Sequence, residues 1–337
     1  MPTVSVIIPT YKHRDFVLAT LDSVFAQTFT DYEVIVVNDG SPDDTSAVLR
    51  PLVESGRIRY IEQANAGQAS ARNRGLAEAQ GEFIALLDDD DLWPPDKLEW
   101  QIEALQSQPG VVLVYGAKTN LNENVDKDHV RHEYPCGAVE EAFLVQNWIT
   151  SPGQTLIRKT ALDQAGHFDP KIWGVDDWDL YIRLASAGEF CYIPRSSLYY
   201  RLHADNASKD IWRMYQNACL LARKHQNFGK LELRHLSGKL HRNIVDNYSN
   251  QFVQVVLRER DLTPQAACRA LWDALRVKPA AVLDRCFLAA VAALVFRGRG
   301  QYDLLKKLFH WAVVSQRHQE RGTGDQESAA HIARDQR

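Results

Sequence analysis

The sequence predicts an α/β fold in which a mixed, mostly parallel sheet carries helices on its faces, with a helical region added towards the C-terminal end. Three observations predict it. The first hundred residues alternate apolar runs of strand length with segments of helical period, the pattern of βαβ units around a parallel sheet. Polar and acidic residues collect directly after those apolar runs, where open α/β sheets bind their ligands. Beyond about Asn206 the strand patterns give way to Leu, Val and Ala interleaved with Arg and Lys at helical spacing.

Taken in order, Val4 to Ile8 is a short apolar run and is expected as the first strand. Asp15 to Gln27 places Phe16, Val17, Leu21, Val24 and Phe25 near the 3.6-residue period, so it reads as an amphipathic helix. Tyr32 to Val37 is the second strand, ending in Asn38-Asp39-Gly40-Ser41, and Thr45 to Leu52 is the next helix. Ile58 to Ile61 gives a short third strand and Ala69 to Ala79 a third helix. Phe83 to Leu87 is the fourth strand, and it runs directly into Asp88-Asp89-Asp90-Asp91. Val111 to Tyr115 begins a less regular stretch that reaches an apolar run at Thr155 to Ile157 and a helix opening at Asp176-Asp177-Trp178-Asp179.

A chain of 337 residues can bury one large core or a core with a smaller domain. The expected organisation is a catalytic or binding domain over 1–208, a helical region over 209–316 and a disordered tail over 317–337 that is rich in Gln, Glu, Arg, Gly and His. With 45% hydrophobic and 24% charged residues and a formal net charge of -4, the chain offers no general attraction to nucleic acid. Its five cysteines are scattered and odd in number, which argues against a disulfide framework and fits a reducing, cytoplasmic compartment. No secretory leader is expected before Val4. Nor is a membrane span: the apolar stretch from Phe287 to Phe296 is about half the ~20 residues a crossing needs.

The chemistry sits at the strand ends. Asp88 and Asp90, one residue apart after a strand, point the same way if the strand geometry persists, and can hold a hard cation that neutralises a diphosphate. The same run can also cap a turn, or the helix that Pro94-Pro95-Asp96 introduces. Asp39 at its Gly-Ser turn is either an Asx turn or a carboxylate that accepts a hydrogen bond from a base or ribose. Tyr11, just past the first strand, is placed to stack on a base, or is a core ring. Arg72, in the helix opening Gly67-Gln68-Ala69-Ser70-Ala71-Arg72, is a solvated arginine, a nucleotide contact or a clamp on an acidic loop.

The order VSVIIPTY, VVNDGSPDDT, NAGQASARNRG, GEFIALLDDDDLWPPDKLEWQ, GHFDP and GVDDWDLYIRLASAG resembles the family 2 glycosyltransferases over roughly residues 3 to 205. The resemblance implies a single Rossmann-like, A-type glycosyltransferase domain and an inverting transfer from a nucleotide diphosphate-sugar that depends on Mn2+ or Mg2+. It implies that Pro9 and Tyr11 wall the base pocket, Asp39 contacts the base and Arg72 supports the nucleotide side. It assigns Asp88 to the nucleotide, Asp90 to the metal and Asp177 to the catalytic base, although the extra Asp89 leaves the register open. His203, in a segment resembling one that often ends this family's catalytic domain, is expected to reach the metal or diphosphate.

The same resemblance makes a UDP-sugar the default donor and a glycan or lipid-linked glycan the acceptor, in cell-surface polysaccharide biosynthesis. Acceptor contacts are expected from Trp148 to Gln154 and from the loop around Trp173. The QxxRW segment and membrane spans of a processive synthase are missing, so one sugar is expected per encounter. The C-terminal Leu271, Leu275, Phe287, Leu288, Val291, Leu294 and Val295, with Arg285, Arg297, Arg299, Lys306 and Lys307 around them, read as helix packing, a peripheral contact with an anionic inner membrane face, or a homodimer surface. A non-catalytic sugar-nucleotide-binding or scaffold protein is the alternative, and four separate carboxylates in catalytic register count against it. No GxGxxG follows the first strand, which disfavours a dehydrogenase, and Pro9-Thr10-Tyr11-Lys12-His13 is not the Gly-rich phosphate loop of a nucleotidyltransferase.

Overall fold

The computed structural model of the chain describes residues 1–121, 134–203, 206–226, 236–258, 263–278, 287, 288, 290 and 291. Its strands are β1 (Val4–Thr10), β2 (Tyr32–Asn38), β3 (Arg59–Glu62), β4 (Phe83–Leu86), β5 (Val111–Asn120), β6 (Thr155–Arg158) and β7 (Glu189–Tyr200). They form one sheet in the order β3-β2-β1-β4-β6-β5-β7. β1, β2, β3 and β4 run parallel, β6 is antiparallel to both β4 and β5, and β5 pairs in parallel with β7.

β1 lies in the sheet's interior, and both of its faces are apolar. Val4, Val6 and Ile8 pack with Val17, Leu21 and Val24 of α1 (Arg14–Phe25) and with Leu98 and Ile102 of α4 (Lys97–Ser107). Ile7 points to the other face, with Leu76 of α3 (Gln68–Glu78), Leu162 of α6 (Lys159–Ala165), and Leu180 and Leu184 of α7 (Asp176–Ala185). Side chains alternate across a strand, so a strand covered on both faces shows a continuous apolar run. α2 (Thr45–Glu54) packs on the first of these faces through Leu49, and α5 (Glu140–Val145) on the second through Phe143.

From β1 the chain winds outward through β2 to β3 and then returns to the other side of β1 as β4. The crevice at the carboxyl ends of β1 and β4 is therefore the topological switch point, where an open α/β sheet receives its ligand.

β7 is the element the sequence reading lacks. Pro194-Arg195-Ser196 interrupts its alternation, and its pairing with β5 shifts register at Gly116/Ala117 and Ala117/Lys118. As the last strand of the sheet it tolerates a proline, which cannot donate to a ladder.

Two compact units divide the chain, one over Met1–His241 and a second beginning at Arg242. α8 (Ile211–His225) belongs to the first. The next helix, α9 (Ser237–Arg258), crosses the division. Within the second unit, α10 (Pro264–Val277) meets α9 where Ser249 Oγ donates to the Ala274 carbonyl at 3.4 Å, and Lys278 pairs with Asp246 at 2.9 Å. Of the residues read as a C-terminal apolar face, Leu271 and Phe287 are buried and Leu288 is exposed. Leu294, Val295, Arg285, Arg297, Arg299, Lys306, Lys307 and the tail expected over 317–337 lie outside the described residues. No described helix is long and apolar enough to cross a membrane.

Candidate active site

A cavity of about 840 Å³ opens at the switch point, within the size range of small-molecule sites. Pro9 near the end of β1 and Tyr11 just past it, Asp39 after β2, Asp88 to Asp90 after β4 and Asp177 on α7 all line it.

Asp39 is buried and organises the next loop. Its Oδ1 accepts from Gln63 Nε2 at 2.7 Å and the Ala66 amide at 2.9 Å, and its Oδ2 accepts from the Gly67 amide at 2.8 Å. Gly67 sits at φ +89, a conformation for glycine, and starts α3. The Asx-turn reading of Asp39 fails, because its carboxylate bonds to this distant loop, and it is the Asn38 side chain that accepts from the Ser41 amide, at 3.0 Å. The carboxylate shapes the loop, and a carboxylate's roughly four acceptor positions leave one for a ligand.

The four aspartates do not keep the alternation of a strand. β4 ends at Leu86, the chain turns, and the Asp91 amide donates to the Asp88 carbonyl at 3.2 Å. The turn sends each carboxylate to a different partner. Asp88 accepts from Arg72 at 2.6 Å and Gln68 at 2.9 Å. Asp89 is buried, meets His13 Nδ1 at 2.7 Å and accepts from the Tyr11 amide at 3.2 Å. Asp90 meets His203 Nε2 at 2.8 Å, and Asp91 accepts from the Arg201 amide at 3.0 Å. Burial, with Asp88 and Asp89 next to it, raises Asp90 above the usual carboxylate range. The strand geometry that would point Asp88 and Asp90 the same way does not persist, because a turn replaces the strand.

Arg72 is 2% exposed and bridges two segments distant in sequence. Its guanidinium donates to Asp88 at 2.6 Å and to Asp176 at 2.8 Å. Burial alone would loosen its proton, but the Asp88 and Asp176 carboxylates overcome this and hold it charged. Of the readings open for Arg72, the clamp on an acidic loop is the one observed. Asp177, at the start of α7, is buried yet faces the cavity, and its Oδ1 accepts from the Trp178 amide at 2.7 Å. Burial, then the adjacent Asp176 carboxylate, pushes Asp177 up to about 8. Tyr181 and Leu184, further along α7, are core residues.

α8 secures that helix from outside. Asp179 Oδ1 meets His225 Nε2 at 2.8 Å, and the same carboxylate pairs with Lys224 and Arg183, each at 2.9 Å. Burial would raise Asp179, but His225, Arg183 and Lys224 hold it down at about 2. α8 also shapes the wall around Trp173, whose amide donates to Asn217 Oδ1 at 2.9 Å and whose ring carries the Arg213 guanidinium at 3.8 Å. Gly174, at φ +73, lies so close to Met214 that a Cβ there would fall 2.4 Å from its sulfur.

Of the segment expected to meet an acceptor, Thr150, Ser151 and Pro152 line the cavity, together with Trp173. Gln154 and Trp148 do not. The Gln154 amide donates to the Gly116 carbonyl at 2.8 Å, and the Trp148 indole donates to the Ala142 carbonyl at 3.2 Å.

The residues present fit a divalent cation. His13, Asp90 and His203 each offer one ligand atom, and these atoms lie within 4.8 Å of one another. The buried His203 Nδ1 has no hydrogen-bond partner among the described residues. Sequence reasoning named Asp90 and His203 but missed His13. The signal was its place in the loop that carries Tyr11, two residues on.

A family model described as Glycosyl transferase family 2 matches residues 5–170. TuaG, a putative teichuronic acid biosynthesis glycosyltransferase of Bacillus subtilis, is 31% identical over 217 residues, covering 63% of this chain and 84% of that protein. A chondroitin synthase of Pasteurella multocida is 31% identical over 210 residues, 62% of this chain, and the chain spans only 21% of that protein. Among solved structures, S. aureus TarS 1-349 in complex with UDP-GlcNAc matches with a TM-score of 0.61 and 18% identity, over 91% of this chain and 90% of that one. Mannosyltransferase PcManGT from Pyrobaculum calidifontis, in complex with GDP-Man and Mn2+, matches with a TM-score of 0.57 and 22% identity, over 88% and 87%. At these identities the structural likeness shows the fold, and the sequence matches show the kinship. Together they make this chain a glycosyltransferase of family 2 with the A-type fold.

Proposed function

We propose that the protein transfers a single sugar, with inversion, from a nucleotide diphosphate-sugar to a hydroxyl of a glycan or lipid-linked glycan during polysaccharide biosynthesis. The observation that carries this is that Asp177, held with a raised pKa, lines the same cavity as Asp39, Asp88 and Asp90. In the reaction the acceptor hydroxyl gives its proton to the Asp177 carboxylate while its oxygen bonds to the anomeric carbon. The bond from that carbon to the diphosphate breaks on the opposite face, and its electron pair leaves with the diphosphate. A base raised to about 8 is strong enough to take that proton and still ionised in part at neutral pH.

Pro9 and Tyr11 are proposed as the base pocket, with Asp39 accepting from the base and Asp88 oriented towards the nucleotide by Arg72 and Gln68. Asp90 and His203 are proposed to hold Mn2+ or Mg2+, which when bound offsets the charge of the leaving diphosphate. UDP is the first donor to test, because TarS, with the same fold, is described in complex with UDP-GlcNAc. Trp173 and Thr150 to Pro152 are the proposed acceptor wall.

The test is a donor and acceptor screen with Asp177→Asn beside the wild type. Donor binding should persist in the variant while transfer falls by about 10²–10⁴-fold. Unchanged transfer would exclude Asp177 as the base.

A further inference from the structure

We propose that His13 is a third ligand of the cation, making the site a set of two histidines and one carboxylate that selects Mn2+ over Mg2+. This rests on the proposed metal role of Asp90 and His203 and extends it. The three residues come from distant parts of the chain, the β1–α1 loop, the turn after β4 and the segment after β7, and their ligand atoms converge within 4.8 Å.

The surroundings of His13 are those of a metal ligand and not of a surface histidine. Its Nδ1 meets Asp89 Oδ1 at 2.7 Å, the carboxylate–imidazole pairing that fixes the ring of a metal-bound histidine and raises its basicity. Asp89 is itself pinned by the Tyr11 amide at 3.2 Å and is 6% exposed, so the pairing is rigid. The His13 ring stands edge-on to the His203 ring with centroids 5.5 Å apart, and Phe16 packs against both, at 5.7 and 5.1 Å. The residue before it, Lys12, is the only described non-glycine residue at positive φ, +63°, and backbone held in a sparsely populated region clusters at functional sites. This also gives Asp89 a task. It is the orienting partner of His13, which explains why the run contains an acid between Asp88 and Asp90.

The ligand chemistry decides the ion. Mg2+ prefers oxygen ligands and near-ideal octahedral geometry, whereas imidazole nitrogen suits first-row transition ions. His13, Asp90 and His203 would hold the ion, which when bound would still accept phosphate oxygens and water. A site with one histidine would discriminate less.

The experiment uses the full chain and Mn2+ alone, with binding read from loss of the free-ion EPR signal and coupled nitrogens counted by pulsed EPR. The wild type should show two imidazole nitrogens on the bound ion, a count that depends on no variant folding. His13→Ala should bind Mn2+ at least ~10-fold more weakly with one nitrogen left, and Asp89→Asn more weakly with both nitrogens kept. Excess Mg2+ should displace Mn2+ more readily from His13→Ala than from the wild type. One nitrogen in the wild type, or unchanged affinity in His13→Ala, overturns the role of His13. If in that case Asp90→Asn and His203→Ala still lose binding, the two-residue site stands without it. If those two variants bind as the wild type does, both readings fall.

Discussion

The Arg72 clamp gives the sharpest test of how the site is held together, through Arg72→Met, which keeps the length of the side chain and removes the charge. The Arg72 side chain is 3% exposed, Asp176 4% and Asp88 22%. Removing one member of a buried ion pair costs about 3–5 kcal/mol, because a charge is left unpaired. The Asp176 end meets that condition and the Asp88 end is partly screened by water, so about 3–4 kcal/mol is expected.

The pH dependence carries the sign. Burial already raises Asp176 against the pull of Arg72, and without the guanidinium it rises further. A carboxyl whose folded pKa is raised costs nothing below its unfolded value near 4 and costs more as pH climbs through the folded one. The loss should therefore be larger at pH 8 than at pH 4.5. Urea unfolding followed by near-ultraviolet circular dichroism measures both, and the thermal midpoint should fall by about 6–15 °C at pH 8. A loss under about 1 kcal/mol at pH 8, or an equal loss at both pH values, would refute the clamp as a desolvated, charge-dependent tie.

Four further outcomes are expected. Asp177→Asn should gain up to about 5 kcal/mol of stability at pH 9 while losing transfer, since it removes a buried carboxylate raised to about 8, and urea unfolding beside turnover measures both. In the wild type, kcat/KM should rise with pH along a limb centred no higher than about 8, because the base must be unprotonated and a nearby cation lowers its pKa. Asp179, held at about 2 by His225, Arg183 and Lys224, contributes about 2 kcal/mol that is present above pH 4 and lost as pH falls from 4 through 2. Asp179→Asn should remove that acid-side loss in an acid-unfolding titration. Chelation should abolish transfer and reloading with Mn2+ restore it, measured as product formed after dialysis against EDTA, and full activity in EDTA would count against Asp90 and His203 as metal ligands.

How much of this was legible follows from how local each cause is. The strands of the first hundred residues were readable because a strand covered on both faces becomes an apolar run, as in Val4 to Ile8, and the helices between them because one face of each is apolar. β7 was not, since Pro194 and the register shifts against β5 erase its alternation. The direction of β6 was not either, because a run as short as Thr155 to Ile157 looks the same in a parallel and an antiparallel pair.

At the site, the sequence alone determined the residue types and their order: carboxylates after β2 and β4, a carboxylate at the start of α7, a histidine after β7. Those positions follow from strand ends and helix starts, which local pattern marks. Only the tertiary structure decided which carboxylate meets which partner. Four adjacent aspartates look alike in sequence, but a turn of the backbone sends Asp88 to Arg72, Asp89 to His13, Asp90 to His203 and Asp91 to the Arg201 amide. Likewise Arg72 meets Asp176 across 104 positions of chain, and His13 meets Asp89 because β1 and β4 are neighbours in the sheet. Contacts of that kind depend on packing between distant elements, and no local pattern encodes them.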